Sequence, residues 1–181
     1  MKTESTVKFV LRLALTLLAI TGVVAVCLAG VNMVTAPAIE ALNAQKTQEA
    51  IEKVLPGGGE VIDFPETSLV STVYASETGY AVEVTPGGFD NTITMMVGVD
   101  KSGSVQGISV ISHTETAGLG AVAAAGTPAG EAFRNEFVGA SGSVAVTKDG
   151  GDVDAITGAT ITSRAICVGV NAALEVVGKL G

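Results

Sequence analysis

The sequence predicts an α+β fold in which one N-terminal transmembrane helix precedes a domain built from an antiparallel sheet and helices. Three observations predict it. Residues 13–31 run for 19 positions without a charge. Between residues 70 and 112, short runs rich in β-branched residues alternate with turns rich in Gly, Pro and Ser. From about residue 160 to 177, apolar residues recur at helical spacing.

As a helix rising about 1.5 Å per residue, the first run spans roughly 28 Å, close to the hydrocarbon thickness of a bilayer. Lys2, Lys8 and Arg12 precede it against one acid, Glu4. The positive-inside tendency places residues 1–12 in the cytoplasm, the span at 13–31 and the remainder on the far side. The run is longer than a signal-peptide core, about 7–15 residues, and no clean small-x-small cleavage site follows it. Val26 stands before Cys27 where a lipidation site needs a small residue, so Cys27 is expected unmodified within the bilayer.

Residues 32–58 are expected to form a helical linker. Ile39, Leu42, Ile51, Val54 and Leu55 are its larger apolar positions, and Pro56-Gly57-Gly58-Gly59 stops it. The domain, residues 59–181, then opens with strands. Runs 70–74 and 80–85 flank Ser76-Glu77-Thr78-Gly79, and runs 92–99 and 105–112 flank Asp100-Lys101-Ser102-Gly103. These are two hairpins, giving three or four antiparallel strands before residue 113. Residues 113–130 are rich in Gly, Ala and Thr and read as a loop with short helical pieces. A short helix is expected over 129–137, a strand over 143–147 and a loop over 148–158. In the last helix, Ile161, Ala165, Val168, Ala172 and Val176 form the predicted buried stripe.

Past residue 31 there are seven basic and 17 acidic residues, a net charge of −10. That argues against nucleic acid, whose phosphates need a cationic surface. It also argues against docking on anionic lipid, so lipid contact is expected through the one helix only. Cys27 and Cys167 are expected too far apart to bridge. One His, two Cys and no CxxC leave too few ligands for an iron–sulfur or transition-metal centre. Redox chemistry in this chain would therefore need an organic cofactor.

The run Asp154-Ala155-Ile156-Thr157-Gly158-Ala159-Thr160-Ile161-Thr162-Ser163 places a Gly-bearing loop at a helix start. Four backbone N–H groups lack partners in any first helical turn, and the helix dipole adds about half a positive charge there. Such a site holds a phosphate without Lys or Arg. Hydroxyls at Thr157, Thr160, Thr162 and Ser163 surround it, and Gly158 and Ala159 admit a bulky ligand close to the backbone. Plain capping by Thr and Ser is the alternative reading.

The same run resembles the flavinylation motif of the FMN-binding domain family, Asp-x-x-(Ser/Thr)-Gly-Ala-(Ser/Thr)-x-(Ser/Thr), and matches every specified position. The resemblance implies that a flavin transferase joins FMN through a phosphoester to the hydroxyl of Thr160, with Asp154 serving recognition by that enzyme. Residues 113–120, His113-Thr114-Glu115-Thr116-Ala117-Gly118-Leu119-Gly120, resemble the family segment that lines the isoalloxazine. Glu115, Thr116 and Leu119 match flavin-contacting positions there, and Gly118 and Gly120 would admit backbone to the ring face. Ala117 replaces the usual Pro, and an Ala-rich stretch after Gly120 replaces a more charged family pattern. Lys148, 12 residues before Thr160, stands where members often carry a Lys that reaches the flavin. His113 is expected to be a loop residue without a proton role. Residues 79–89 and 95–98 resemble the family's β-region and are expected to be core and scaffold.

Within the family, the short chain and single anchor are most similar to the G subunits of Rnf electron-transport complexes. The implied role is electron relay through covalent FMN, without substrate turnover by the chain itself. The implied partners are the other subunits of the membrane redox complex and the flavin transferase. Two alternatives stand: the C subunit of a sodium-translocating NADH:quinone reductase, usually longer, and an extracytoplasmic module that binds a phosphate-bearing ligand.

Overall fold

The computed structural model describes residues 2–65 and 68–180. Met1, Glu66, Thr67 and Gly181, which fall in the expected N-terminal segment and domain, lie outside the described residues.

The N-terminal segment is a single helix, α1 (Lys2–Val54). It runs through Pro37 without a break, although proline deletes one backbone donor at that point. No element boundary therefore separates the expected span from the expected linker. The helix contains an 18-residue window of mean hydropathy 2.4 and is long and apolar enough to cross a membrane. The chain divides into two compact units, one ending at Ala44 and the other beginning at Gln45. The last turns of α1 thus belong to the second unit rather than to a linker ending at residue 58. Ala50, Ile51, Val54 and the following Leu55 are buried there, whereas Ile39 and Leu42 are exposed.

The second unit is built on a five-stranded antiparallel meander: β1 (Glu60–Ile62), β2 (Val70–Ala75), β3 (Gly79–Val84), β4 (Thr94–Asp100) and β5 (Val105–Ser112), in that spatial order. The turns follow from their side chains. Ser76 Oγ accepts from the backbone of Thr78 and Gly79 between β2 and β3. Asp100 Oδ1 accepts from the backbone of Ser102 and Ser104 between β4 and β5. Strand β1 has only three residues, too few for an alternation to be read.

Successive residues of a strand face opposite sides, and both sides of this sheet are covered. Met95, Val97 and Val99 join one cluster with Ile166, Val170, Ala173 and Val177 of helix α3 (Thr160–Leu180). Met96 and Ala81 join the other with Ile51, Val54 and Leu55. Each large side chain removed from water in this way contributes about 1.5–3 kcal/mol. Gly98 faces Val54 so closely that a Cβ would lie 2.4 Å from the Val54 carbonyl oxygen. Helix α2 (Pro128–Asn135) is N-capped by Thr127 and closes the end of the first core, with Phe133 and Phe137 edge-to-face at 5.4 Å.

Besides the strand count, five before residue 113 where three or four were expected, two sequence expectations are corrected. Residues 143–147 form no strand; Val146 makes only an isolated parallel bridge to Val153. Val144 and Val146 are buried as a strand pattern demands, but the Asn171 side chain takes the place of a neighbouring strand. Its Oδ1 accepts from Val144 N at 2.7 Å and its Nδ2 donates to Val144 O at 2.8 Å. In α3 the buried stripe is rotated from the expected one. Ala165 and Val176 are buried, but Ile161 and Val168 are about half exposed, and Thr162 and Ser163 are inside instead. Burying those two hydroxyls is inexpensive because each has a partner, described next.

Candidate functional site

Helix α3 starts at Thr160, directly after Gly158 and Ala159. Gly158 has φ +79°, a conformation that L side chains rarely adopt, and it turns the chain into the helix. Ser163 locks this start. Its Oγ accepts from Ile156 N and donates to Ala159 O, both at 3.0 Å. Thr162 donates to Glu115 Oε2 at 2.6 Å, and Phe89 N donates to Glu115 Oε1 at 2.7 Å. The Glu115 carboxylate, 8% exposed, thereby joins the turn after β3, the loop after β5 and the first turn of α3.

These segments enclose a cleft of about 300 Å³ lined by Phe89, Glu115, Thr116, Leu119, Gly120, Lys148, Gly158, Ala159, Thr160, Ile161 and Thr162. Lys148 lies in a short 3-10 turn, Thr147–Asp149. Its Nζ donates to Thr160 Oγ1 at 3.2 Å. An ammonium and the unpaired N–H groups of a helix start converge on one partly exposed hydroxyl, an arrangement suited to a phosphoryl group. Arg164 and Asp149 hold that turn against α3 through a bidentate ion pair. The Arg164 hydrogen bond keeps the Asp149 carboxyl below its ordinary pKa.

The structure brings most of the sequence-derived residues to this cleft and separates the others. Glu115, Thr116, Leu119, Gly120, Lys148, Gly158, Ala159, Thr160 and Thr162 line it together. Gly118, Thr157 and Asp154 line a neighbouring cavity of about 390 Å³ with Ile156, Phe133 and Glu136. Ser163 is fully buried, with its hydroxyl committed to the backbone. Asp154 is exposed, and its backbone N–H donates to the Glu136 carboxylate.

Sequence reasoning missed two cleft residues. Phe89, expected as scaffold, is 65% exposed at the rim, and Ile161, expected in the core stripe, is 50% exposed there. The one available signal was a large apolar side chain beside a motif, which alone does not separate rim from core. Cys167 is buried in α3, and burial pushes its thiol up to about 11, so it packs as a small apolar group.

A family model described as the FMN-binding domain matches residues 88–175, which include every residue lining the cleft. The chain is 32% identical to the G subunit of the Na(+)-translocating ferredoxin:NAD(+) oxidoreductase complex of Acetobacterium woodii, over 93% of this chain and 92% of that protein. It is 32% identical to the G subunit of the ion-translocating oxidoreductase complex of Methanosarcina acetivorans, over 94% of this chain and 95% of that one. The chain belongs to the FMN-binding domain family. Within that family its likeness to the two G subunits runs almost from end to end. A third protein of the same description, from Aliivibrio fischeri, is 38% identical over 58% of this chain and 52% of its own length.

The cleft suits the family's cofactor. Leu119, Ile161 and Phe89 line it with apolar surface, and Lys148, Thr116 and the start of α3 with polar groups, a mixture that would fit a flat ring bearing a phosphate.

Proposed function

We propose that this chain is the electron-relay subunit of a membrane-bound, ion-translocating ferredoxin:NAD oxidoreductase, carrying FMN as a phosphoester on Thr160. The observation that carries this reading is the Thr160 hydroxyl, set in the cleft at the first residue of α3 with the Lys148 ammonium 3.2 Å away. Bound flavin supplies reversible one- and two-electron transfer. The chain's own residues hold and tune the group. The N–H groups of the first turn of α3 and Lys148 neutralise phosphate charge. Leu119, Ile161 and Phe89 keep water from the ring, and Glu115 holds the three segments in register. Lys148 also favours negative charge on the nearby ring edge.

The attachment is made by a flavin transferase that reads Asp154, which lies exposed near the site. Helix α1 anchors the chain as a single pass with residues 13–31 in the bilayer, residues 1–12 cytoplasmic and the domain on the opposite side. A covalent bond serves that location, since FMN lost there has no cytosolic pool to replace it. The partners are the remaining subunits of the complex. End-to-end likeness to G subunits favours this reading over the C-subunit and ligand-module alternatives.

The test is denaturing electrophoresis of membranes from cells that express the transferase. Flavin fluorescence should travel with the polypeptide, persist in Thr160→Ser and vanish in Thr160→Ala while circular dichroism stays unchanged. Fluorescence retained by Thr160→Ala would refute the assignment.

A further inference from the structure

We propose that the second compact unit has an anion site, separate from the flavin cleft, that takes a small oxyanion of two or more negative charges. It is a cavity of about 340 Å³ between the last turns of α1, the end of β5 and Ala124. Lys46 and Lys53 line it from α1, and Ser109, Ser112 and His113 from β5 and the residue after it.

Three observations carry the proposal. The first is charge left uncompensated. Of the seven basic residues past position 31, Arg134 donates to the carbonyls of Ala123 and Ala125, Lys148 to Thr160, Arg164 to Asp149 and Lys179 to Glu175. Lys46, Lys53 and Lys101 remain without a hydrogen bond or ion pair among the described residues, and two of these three line one cavity. They are seven residues apart on α1, so about two turns of helix put them on one face.

The second observation is His113. Its Nδ1 is shielded from solvent and has no hydrogen-bond partner among the described residues. Enclosed with no acceptor near it, Nδ1 is favoured as the bare ring nitrogen, which leaves the proton on Nε2, free to be donated to an oxyanion. The third is the donor set. Two ammoniums, an imidazole and the hydroxyls of Ser109 and Ser112 face one carboxylate, Glu49, which already accepts from Gln45 Nε2 at 2.8 Å. A donor-rich wall matches a ligand that only accepts. Diffuse attraction does not explain it, because the net charge of −10 past residue 31 repels anions in general. The site lies beside the cofactor cleft in sequence: His113 lines one and Glu115 the other, with Thr114 between.

The experiment uses the full-length, untagged protein in detergent, with ionic strength held constant by sodium chloride. Inorganic phosphate and citrate are titrated in separate arms. Binding is read by calorimetry and by the imidazole signals in nuclear magnetic resonance, which need no assignment because the chain has a single His. A saturable, one-site shift of those signals is expected with at least one of the two anions. Lys46→Gln combined with Lys53→Gln should weaken it at least tenfold at an unchanged melting temperature, since both side chains are exposed. Lys101→Gln should leave it unchanged. The proposal is overturned if neither anion gives a saturable shift, if chloride alone reproduces it, or if Lys101→Gln weakens binding as much as the double variant. The readout does not depend on flavin, so it stands or falls separately from the Thr160 assignment.

Discussion

Arg164 and Asp149 meet through two parallel contacts of 2.6 Å, and this pair joins the first turns of α3 to the short turn that carries Lys148. Both side chains are substantially exposed, so the pair orients more than it stabilises.

Asp149→Asn or Arg164→Gln should therefore leave the melting temperature unchanged but slow flavin loading of apo protein by roughly three- to tenfold, the effect of a loosened positioning group. Exchanging the two residues should restore the rate. The pH dependence has a definite sign. A carboxyl held below its ordinary value contributes above its unfolded pKa and loses that contribution as pH falls through the folded one. Loading should thus be insensitive to Asp149 across neutral pH, and the pair should dissociate only below about pH 3.9. Carbon-detected titration of the Asp149 carboxyl checks this.

Gly120→Ala tests the Glu115 clamp. A Cβ there would lie 2.4 Å from Glu115 Oε2 and 2.5 Å from Thr162 Oγ1. The carboxylate must move, and both of its hydrogen bonds with it. Flavin attachment should drop by more than half, with a stability loss of about 1–3 kcal/mol in urea unfolding.

Gly98→Ala is the complementary case, on the opposite face of the sheet. Its Cβ would meet the Val54 backbone, which cannot rotate away as a side chain can. A loss of about 1–3 kcal/mol is expected, with flavin attachment to the folded fraction unchanged.

Glu83 on β3 gives the opposite pH signature from Asp149. Desolvation raises its pKa, against a hydrogen bond from Thr72 that lowers it. The folded state then holds the proton more tightly than the unfolded chain, so this group's cost is fully present above the raised pKa and disappears as pH falls through it. Glu83→Gln should raise the melting temperature at pH 7 and have a progressively smaller effect as the pH is lowered toward 4. An equal effect at both pH values would contradict this.

The hairpins were legible because strand alternation and short-range turn chemistry both lie within a few residues. Ser76 and Asp100 close their turns with their own side chains. The 143–147 segment misled because burial of Val144 and Val146 has strand periodicity whatever satisfies the backbone, and the satisfying group, Asn171, lies 27 residues away. The stripe on α3 misled for a related reason. Thr162 and Ser163 count as polar in any hydropathy pattern, but their partners Glu115 and Ile156 make the interior acceptable to them. The ion pair at the site joins residues 15 apart with no local pattern between them, and so left no trace in a single sequence.

The burial of Thr162 and Ser163 bears on how the protein is made. In an unfolded chain the four hydroxyls of residues 157–163 are nearly equivalent to any modifying enzyme. Once α3 has formed, Thr162 is 1% exposed and Ser163 fully enclosed, and Thr157 opens onto a different cavity. On the proposed function, Thr160 is the hydroxyl of the four that both lines the cleft and stays partly open to solvent, so a transferase acting on the folded domain would need little discrimination between threonine and serine in the motif.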